Sequence, residues 1–199
     1  LLSCLVFIGE GVRFAFDTRA KRSFQNATCQ LTKQEKSQKL LSVRHLSVAF
    51  GDKTVLHDVS FDISKGQTVA LIGQSGCGKS VTALSVLGLL SNAKVKGSIQ
   101  LNGQELIGLS DELMQKIRGR KIALIFQEPM TSLNPLHKIK KQIAEVMQIH
   151  FGKANQMRIF ELMDLVGLKQ DKKRILNSYP YQLSGGQRQR AMIAMALAG

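Results

Sequence analysis

TVALIGQSGCGKSVTALSVLGLL, residues 68–90, sets an apolar run, a glycine-rich loop and a helix-favouring run in direct succession. Thr68 to Ile72 is short and wholly apolar, which predicts a strand of the kind buried on both faces. Gly73-Gln74-Ser75-Gly76-Cys77-Gly78-Lys79-Ser80 fits the pattern G-x-x-x-x-G-K-[ST] in full. Val81 to Leu90 then predicts a helix. The glycines allow backbone conformations that turn successive N–H groups inward, where they and the N-terminus of the following helix hold anionic phosphates. In such a loop Lys79 reaches the β- and γ-phosphates of a nucleotide and the Ser80 hydroxyl ligates Mg²⁺. The bland alternative is a glycine-rich turn with an exposed lysine. The strand before it and the helix after it weigh against that.

The flanks extend the pattern. Upstream, Leu41, Val43, Leu46, Val48 and Phe50, then Val55, Val59, Phe61 and Ile63, predict two antiparallel strands around a Gly51-Asp52-Lys53 turn. Downstream, Ser98 to Asn102 predicts a strand closed by Asn102-Gly103. Ser110 to Arg118 predicts a helix capped by Ser110, and Ile122 to Phe126 another buried strand. From Ile139 the apolar period becomes helical: Ile143, Val146, Met147 and His150, then Ile159, Leu162, Met163 and Val166 before Gly167. Strand, phosphate loop and helix in that order predict an α/β nucleotide-binding sheet, with a strand-rich front and a helical back.

A phosphate loop alone leaves kinase, GTPase, helicase and transporter open. Leu183-Ser184-Gly185-Gly186-Gln187, followed by Arg188, Gln189, Arg190 and a Met-Ile-Ala-Met-Ala-Leu run, narrows the choice. Ser184 is placed to cap a helix whose first N–H groups two glycines leave exposed, a second anion site. Taken alone it would be an ordinary serine-capped helix. Together with the phosphate loop, this LSGGQ signature resembles the ATP-binding subunits of ABC transporters, over residues 40–199.

The resemblance implies an α/β P-loop NTPase core of the ABC ATPase type, with an antiparallel β subdomain and a helical subdomain at about 135–199, C-terminally truncated. It implies ATP and Mg²⁺ as cofactors. Gly73, Gln74, Ser75, Gly76, Cys77, Gly78, Lys79 and Ser80 would bind the phosphates, while Ser184, Gly185, Gly186 and Gln187 would bind the ATP of a partner subunit. Phe50 corresponds to the aromatic that stacks on adenine, although a single strand Phe is more often core. Gln127, at the end of the strand Ile122 to Phe126, corresponds to the glutamine that touches Mg²⁺ or the attacking water, and an amide can accept from water and donate to phosphate without adding charge. Ser80 and Gln127 are thus the metal-facing pair. Glu128 to Pro135 and Tyr179-Pro180-Tyr181-Gln182 resemble the subgroup that energises uptake of dipeptides, oligopeptides, nickel and microcin-like peptides.

The same resemblance implies the partners: a second ATP-binding subunit, transmembrane permease subunits and, indirectly, an external substrate-binding protein, with the chain peripheral on the cytoplasmic face of the cell membrane. LLSCLVFIGEGVRFAFDTRA, residues 1–20, resembles the cytoplasmic C-terminal tail of a peptide-transporter permease subunit. Its apolar run is too short to span a bilayer, and its basic residues follow the run rather than precede it, unlike a signal peptide. Residues 21–39, rich in Lys, Gln, Ser and Thr, read as a linker.

Composition is compatible with this. Of the 199 residues 44% are hydrophobic and 21% charged, as in a globular chain. The net charge of +14 raises a nucleic-acid reading, but the basic residues are scattered without a block of five or six, so no nucleic-acid partner is expected. Cys4, Cys29 and Cys77 form no CxxC pair, as in a reducing compartment.

The family's next elements, a strand ending in Asp-Glu and a switch histidine, have no counterpart here. No acidic residue follows Asp171 and no histidine follows His150. Asp111-Glu112 precedes Gln127 and reads as the acidic first turn of a helix. Catalysis needs a positioned base, so the chain itself is expected to be inactive while the full domain is an ATPase. Two alternatives compete. A DNA-associated ABC ATPase would share both motifs but separate them with long coiled-coil arms, whereas only 55 residues lie between Gln127 and Leu183. A permease tail fused to a broken ATPase would be non-catalytic.

Overall fold

The computed structural model describes residues 39–126 and 132–199. The stretches read above as a permease-like tail and a linker lie outside them except for Lys39, as does Gln127. β1 (Lys39–Phe50) and β2 (Lys53–Ser64) form the expected antiparallel hairpin, with Phe50 opposite Lys53 and Gly51 at φ 56 in the turn. β3 (Ala93–Leu101) pairs with the other edge of β1, and β4 (Gln104–Glu105) turns back onto β3, giving the order β2-β1-β3-β4. Asn102 and Gly103, both at positive φ, make the tight turn between β3 and β4.

Along β1 the buried residues are Leu41, Val43, Leu46 and Val48. The gap of three between Val43 and Leu46 breaks the period of two, and a bulge absorbs the extra residue: the register slips there and His45 sits at φ 49. On the facing strand only a glycine fits. Gly97 has φ 110, and a Cβ on it would lie 2.5 Å from the Arg44 carbonyl oxygen.

α1 (Lys79–Val86) follows the glycine loop and α2 (Asp111–Ile117) follows β4. Then come α3 (Ile139–Phe151), α4 (Gln156–Leu165), α5 (Lys172–Asn177), a 3-10 turn at Pro180–Gln182 and α6 (Gly185–Ala196). Asn155 caps α4, its Oδ1 accepting from the Met157 and Arg158 amides. Two apolar cores result. Leu46, Val86, Ile99, Met114 and Ile122 belong to a core beneath the sheet. Ile139, Ile143, Leu162, Ile175 and Ala191 belong to a second one between the helices.

Several local expectations differ from what is observed. Thr68 to Ile72 forms no strand, and Ile72 is 80% exposed. Ile122 to Phe126 forms no strand, with bridge positions only at Ile122, whose partner is Arg118, and at Ala123, and Phe126 is half exposed. A strand exists only through a ladder that satisfies its N–H and C=O groups, and among the described residues none lies alongside these two segments. α1 ends at Val86 rather than Leu90 because Gly88, at φ 60, ends the helical path. Ser110 does precede α2, but its side chain accepts no capping bond.

Candidate nucleotide-binding site

The loop from Gly73 to Cys77 is exposed and leads directly into α1. Gly76 (φ 84) and Gly78 (φ 93) lie in the left-handed region that the motif reading requires. Gly78 is also enclosed, since a Cβ on it would lie 2.7 Å from Leu56 Cδ1 and 3.4 Å from the Val55 carbonyl oxygen. The start of β2 therefore forms the floor of the loop. Gly73 is constrained by packing instead, for a Cβ there would meet Cys77 Sγ at 2.5 Å.

α1 has no acidic residue in its first turn and no side-chain cap, so its leading N–H groups remain available to an anion. Lys79 folds back over the loop. Its Nζ donates to the carbonyl oxygens of Gly73 at 2.7 Å and Gln74 at 2.6 Å and approaches Cys77 Sγ at 3.4 Å. A cation and the uncapped start of a helix are thus brought together at one point, the chemistry that suits a polyphosphate. Gln74, Ser75, Cys77 and Ser80 are all exposed around this centre.

Phe50 closes β1 at the hairpin turn, 37% exposed. The register pairs it with Lys53, while Leu56, three residues further along β2, packs against Gly78. Phe50 therefore lies at the end of the sheet next to the loop, with part of its ring open.

The signature residues form the start of α6. The Ser184 Oγ accepts from the Gln187 amide at 3.3 Å, and Gln187 Oε1 accepts from the Ser184 amide at 3.1 Å, a reciprocal capping box. Gly185 and Gly186 are exposed, and a Cβ on either would meet nothing within 4 Å. The helix predicted after Ser184 is present and Ser184 caps it, on the helical core rather than the sheet core. Among the described residues there is no cluster of His, Cys, Asp and Glu able to hold a metal by itself. Of Ser80 and Gln127, the two residues expected to face a metal, only Ser80 lies among the described residues, and it is exposed.

Motif reasoning missed the floor of the loop and two contacts that brace the fold around it, at the sheet edge and at the far end of α1. Leu56 and Val55 are that floor, a role that becomes visible only once β2 is registered on β1. Glu105 fixes the edge of the sheet by accepting from Ser98 Oγ and from the Ile99, Leu106 and Ile107 amides. Burial alone would push its carboxyl up; those four donors outweigh it and hold the carboxyl below its usual value. Arg118, 30 residues from the helix end it grips, donates from Nε to Leu87 O at 2.8 Å and from Nη2 to Gly88 O at 2.9 Å.

A phosphate-shaped glycine loop at the head of a helix, an antiparallel sheet beside it and a helical lobe with a second bare helix N-terminus define a P-loop nucleotide-binding cassette. The chain belongs to the ABC transporter family, whose sequence model matches residues 56–199. It is 50% identical over 171 residues to YejF, an ABC transporter ATP-binding protein of Escherichia coli, covering 81% of this chain and 32% of that protein. It is 48% identical over 171 residues to the dipeptide transport ATP-binding protein DppD of Lactococcus lactis, covering 81% of this chain and 49% of DppD. Among solved structures it resembles the dimeric bacterial ABC transporter cassette MJ0796, with a TM-score of 0.67 at 28% identity over 79% of this chain and 69% of that one. The chain thus spans about a third to a half of the curated relatives it matches.

Proposed function

We propose that the chain is the nucleotide-binding part of an ATP-driven importer of peptides, one that binds Mg-ATP on Gly73 to Ser80 and presents Ser184 to Gln187 to the ATP of a second ATP-binding subunit. The observation that carries this is the pairing, within one family member, of a left-handed glycine loop carrying Lys79 with a Ser184-capped helix start whose first two residues are exposed glycines. The peptide class rests on relatives named for peptide and dipeptide transport, and nickel or microcin-like cargo would use the same subgroup.

The residues present fit the nucleotide. The amides at the head of α1 and the Lys79 ammonium would hold the phosphates, the Ser80 hydroxyl would ligate Mg²⁺, and the partly exposed Phe50 ring would stack on the adenine. When bound, Mg²⁺ supplies charge that draws electron density from the phosphates. Gln127 is assigned the remaining contact with Mg²⁺ or water on its motif alone. No helix among the described residues is long and apolar enough to cross a membrane. Attachment to permease subunits on the cytoplasmic face is proposed from the relatives named for transport.

A polypeptide of these 199 residues carries no acidic residue after Asp171. It is accordingly proposed to bind nucleotide without turning it over. Light scattering with Mg-ATP tests the pairing. Nucleotide should raise the population of two-chain species, and Ser184→Arg, which fills the anion site with a cation and a long side chain, should abolish the rise. Pairing that ignores nucleotide, or survives Ser184→Arg, would remove the role given to the signature. Phosphate release above background that disappears in Lys79→Ala would instead show a base this proposal does not contain.

A further inference from the structure

Three elements converge on the turn Arg118-Gly119-Arg120, which leads from α2 toward Gln127. On one side lies the C-terminal end of α1. The last carbonyls of a helix have no partner within it, and α1 has no basic residue in its own last turn. Arg118 supplies that cation: Nε donates to Leu87 O, Nη2 to Gly88 O, and Nη1 to Asp111 Oδ1 at 2.8 Å, so the guanidinium fork is held at three points.

On the other side lies the helical core. Gly119, at φ 80, sits under the His150 imidazole of α3; a Cβ would overlap Nε2 and lie 2.7 Å from Cε1. Arg120 stands over the Phe151 ring, 5.7 Å from its centroid. Gly199, three residues past the end of α6, backs onto the Gly119 carbonyl, and a Cβ on it would lie 3.0 Å from His150 Cδ2. A single short turn therefore bears on the phosphate-loop helix, on α3 and on the segment that follows the signature helix.

We propose that Arg118 is a positioning residue that ties the C-terminal end of the phosphate-loop helix, through Gly119 and His150, to the helical lobe, so that nucleotide on Gly73 to Ser80 sets the orientation of α6. This rests on the ATP-binding reading of the site. α1 has eight residues and spans about 12 Å, short enough for a displacement at its N-terminus to reach Leu87 and Gly88 with little bending. The forked grip of Arg118 passes that displacement to a turn whose central residue, lacking a Cβ, is in van der Waals contact with a ring on α3. A purely stabilising arginine would lower the melting temperature when removed and leave the link between nucleotide and α6 unchanged.

Hydrogen exchange of the 199-residue chain, read by mass spectrometry with and without saturating Mg-AMP-PNP, tests this. In the unaltered chain nucleotide should slow exchange at the head of α1 and also in α3 and α6. Arg118→Met should keep fluorescent-ATP affinity within about threefold, a difference under 1 kcal/mol, and keep protection at the head of α1, yet lose the response in α3 and α6. Arg118→Lys, which reproduces only part of the fork, should retain part of it. His150→Ala breaks the same path beyond Arg118 while leaving the α1 grip intact, and should uncouple in the same way even if Arg118→Met fails to fold. An undiminished response in Arg118→Met or His150→Ala overturns the proposal. So does nucleotide that binds in the unaltered chain without any change in α3 and α6, whereas failure to bind nucleotide at all overturns the ATP-binding reading with it.

Discussion

The Lys79 ammonium donates to the Gly73 carbonyl oxygen 2.7 Å away, so the loop is closed on its own cation. An incoming phosphate takes over that charge, because a phosphate oxygen is a stronger partner for an ammonium than a neutral carbonyl. Cys77 is exposed and 3.4 Å from the same Nζ, so a ligand held there would cover it. Alkylation of Cys77, followed by peptide mass spectrometry, should slow when Mg-ATP is added. Labelling at an unchanged rate would place the nucleotide elsewhere.

Gly78→Ala should be costly in two ways. An L-residue in the left-handed region costs about 1–2 kcal/mol, and the new methyl would press on Leu56, which is buried in the sheet core. Thermal unfolding should show a lowered midpoint, and fluorescent-ATP titration a loss of binding. A variant with both properties unchanged would mean that the loop does not hold the conformation described.

Ser184→Ala removes one half of the capping box at α6. The expected loss of stability is about 1 kcal/mol, visible as a lower denaturant midpoint with unchanged slope. Ser184→Asn, which can accept the same amide bond, should restore most of it. Equal loss in both variants would argue that the hydroxyl is held for another reason.

Glu105 gives the fold an acid dependence of definite sign. Its folded-state carboxyl titrates below its usual value of 4.5, so the folded state binds fewer protons than the unfolded one. Its contribution is present above the unfolded value and is lost as pH falls through the lower folded value. Glu105→Gln should destabilise at neutral pH, on the order of 1–3 kcal/mol for bonds to a charged acceptor. It should also flatten the acid side of the profile. A variant as acid-sensitive as the parent would contradict this.

The hairpin, the phosphate loop and the signature cap were legible because each is a local code: alternation around Gly51-Asp52, glycines at required φ values, a serine three residues before a glutamine. The bulge at His45 was not read, although the three-residue gap between Val43 and Leu46 breaks the strand period there. Thr68 to Ile72 misled because an apolar run states what a strand would bury and says nothing of its neighbour, and pairing is a non-local property. Arg118 was invisible for a related reason. An arginine near a helix end is unremarkable in sequence, and its partners Leu87 and Gly88 offer only backbone oxygens, which carry no residue signature.

Isothermal titration of Mg-ATP into the 199-residue chain, with Lys79→Ala beside it, tests whether Gly73 to Ser80 hold the nucleotide. The chain should bind nucleotide saturably at one site. Losing the ammonium should weaken binding roughly 10- to 100-fold, the equivalent of about 1.5–3 kcal/mol for a charge-assisted contact, while the melting temperature stays close to that of the parent. No binding by the parent chain, or equal binding by parent and Lys79→Ala, would contradict the assignment of Gly73 to Ser80 as the ATP site.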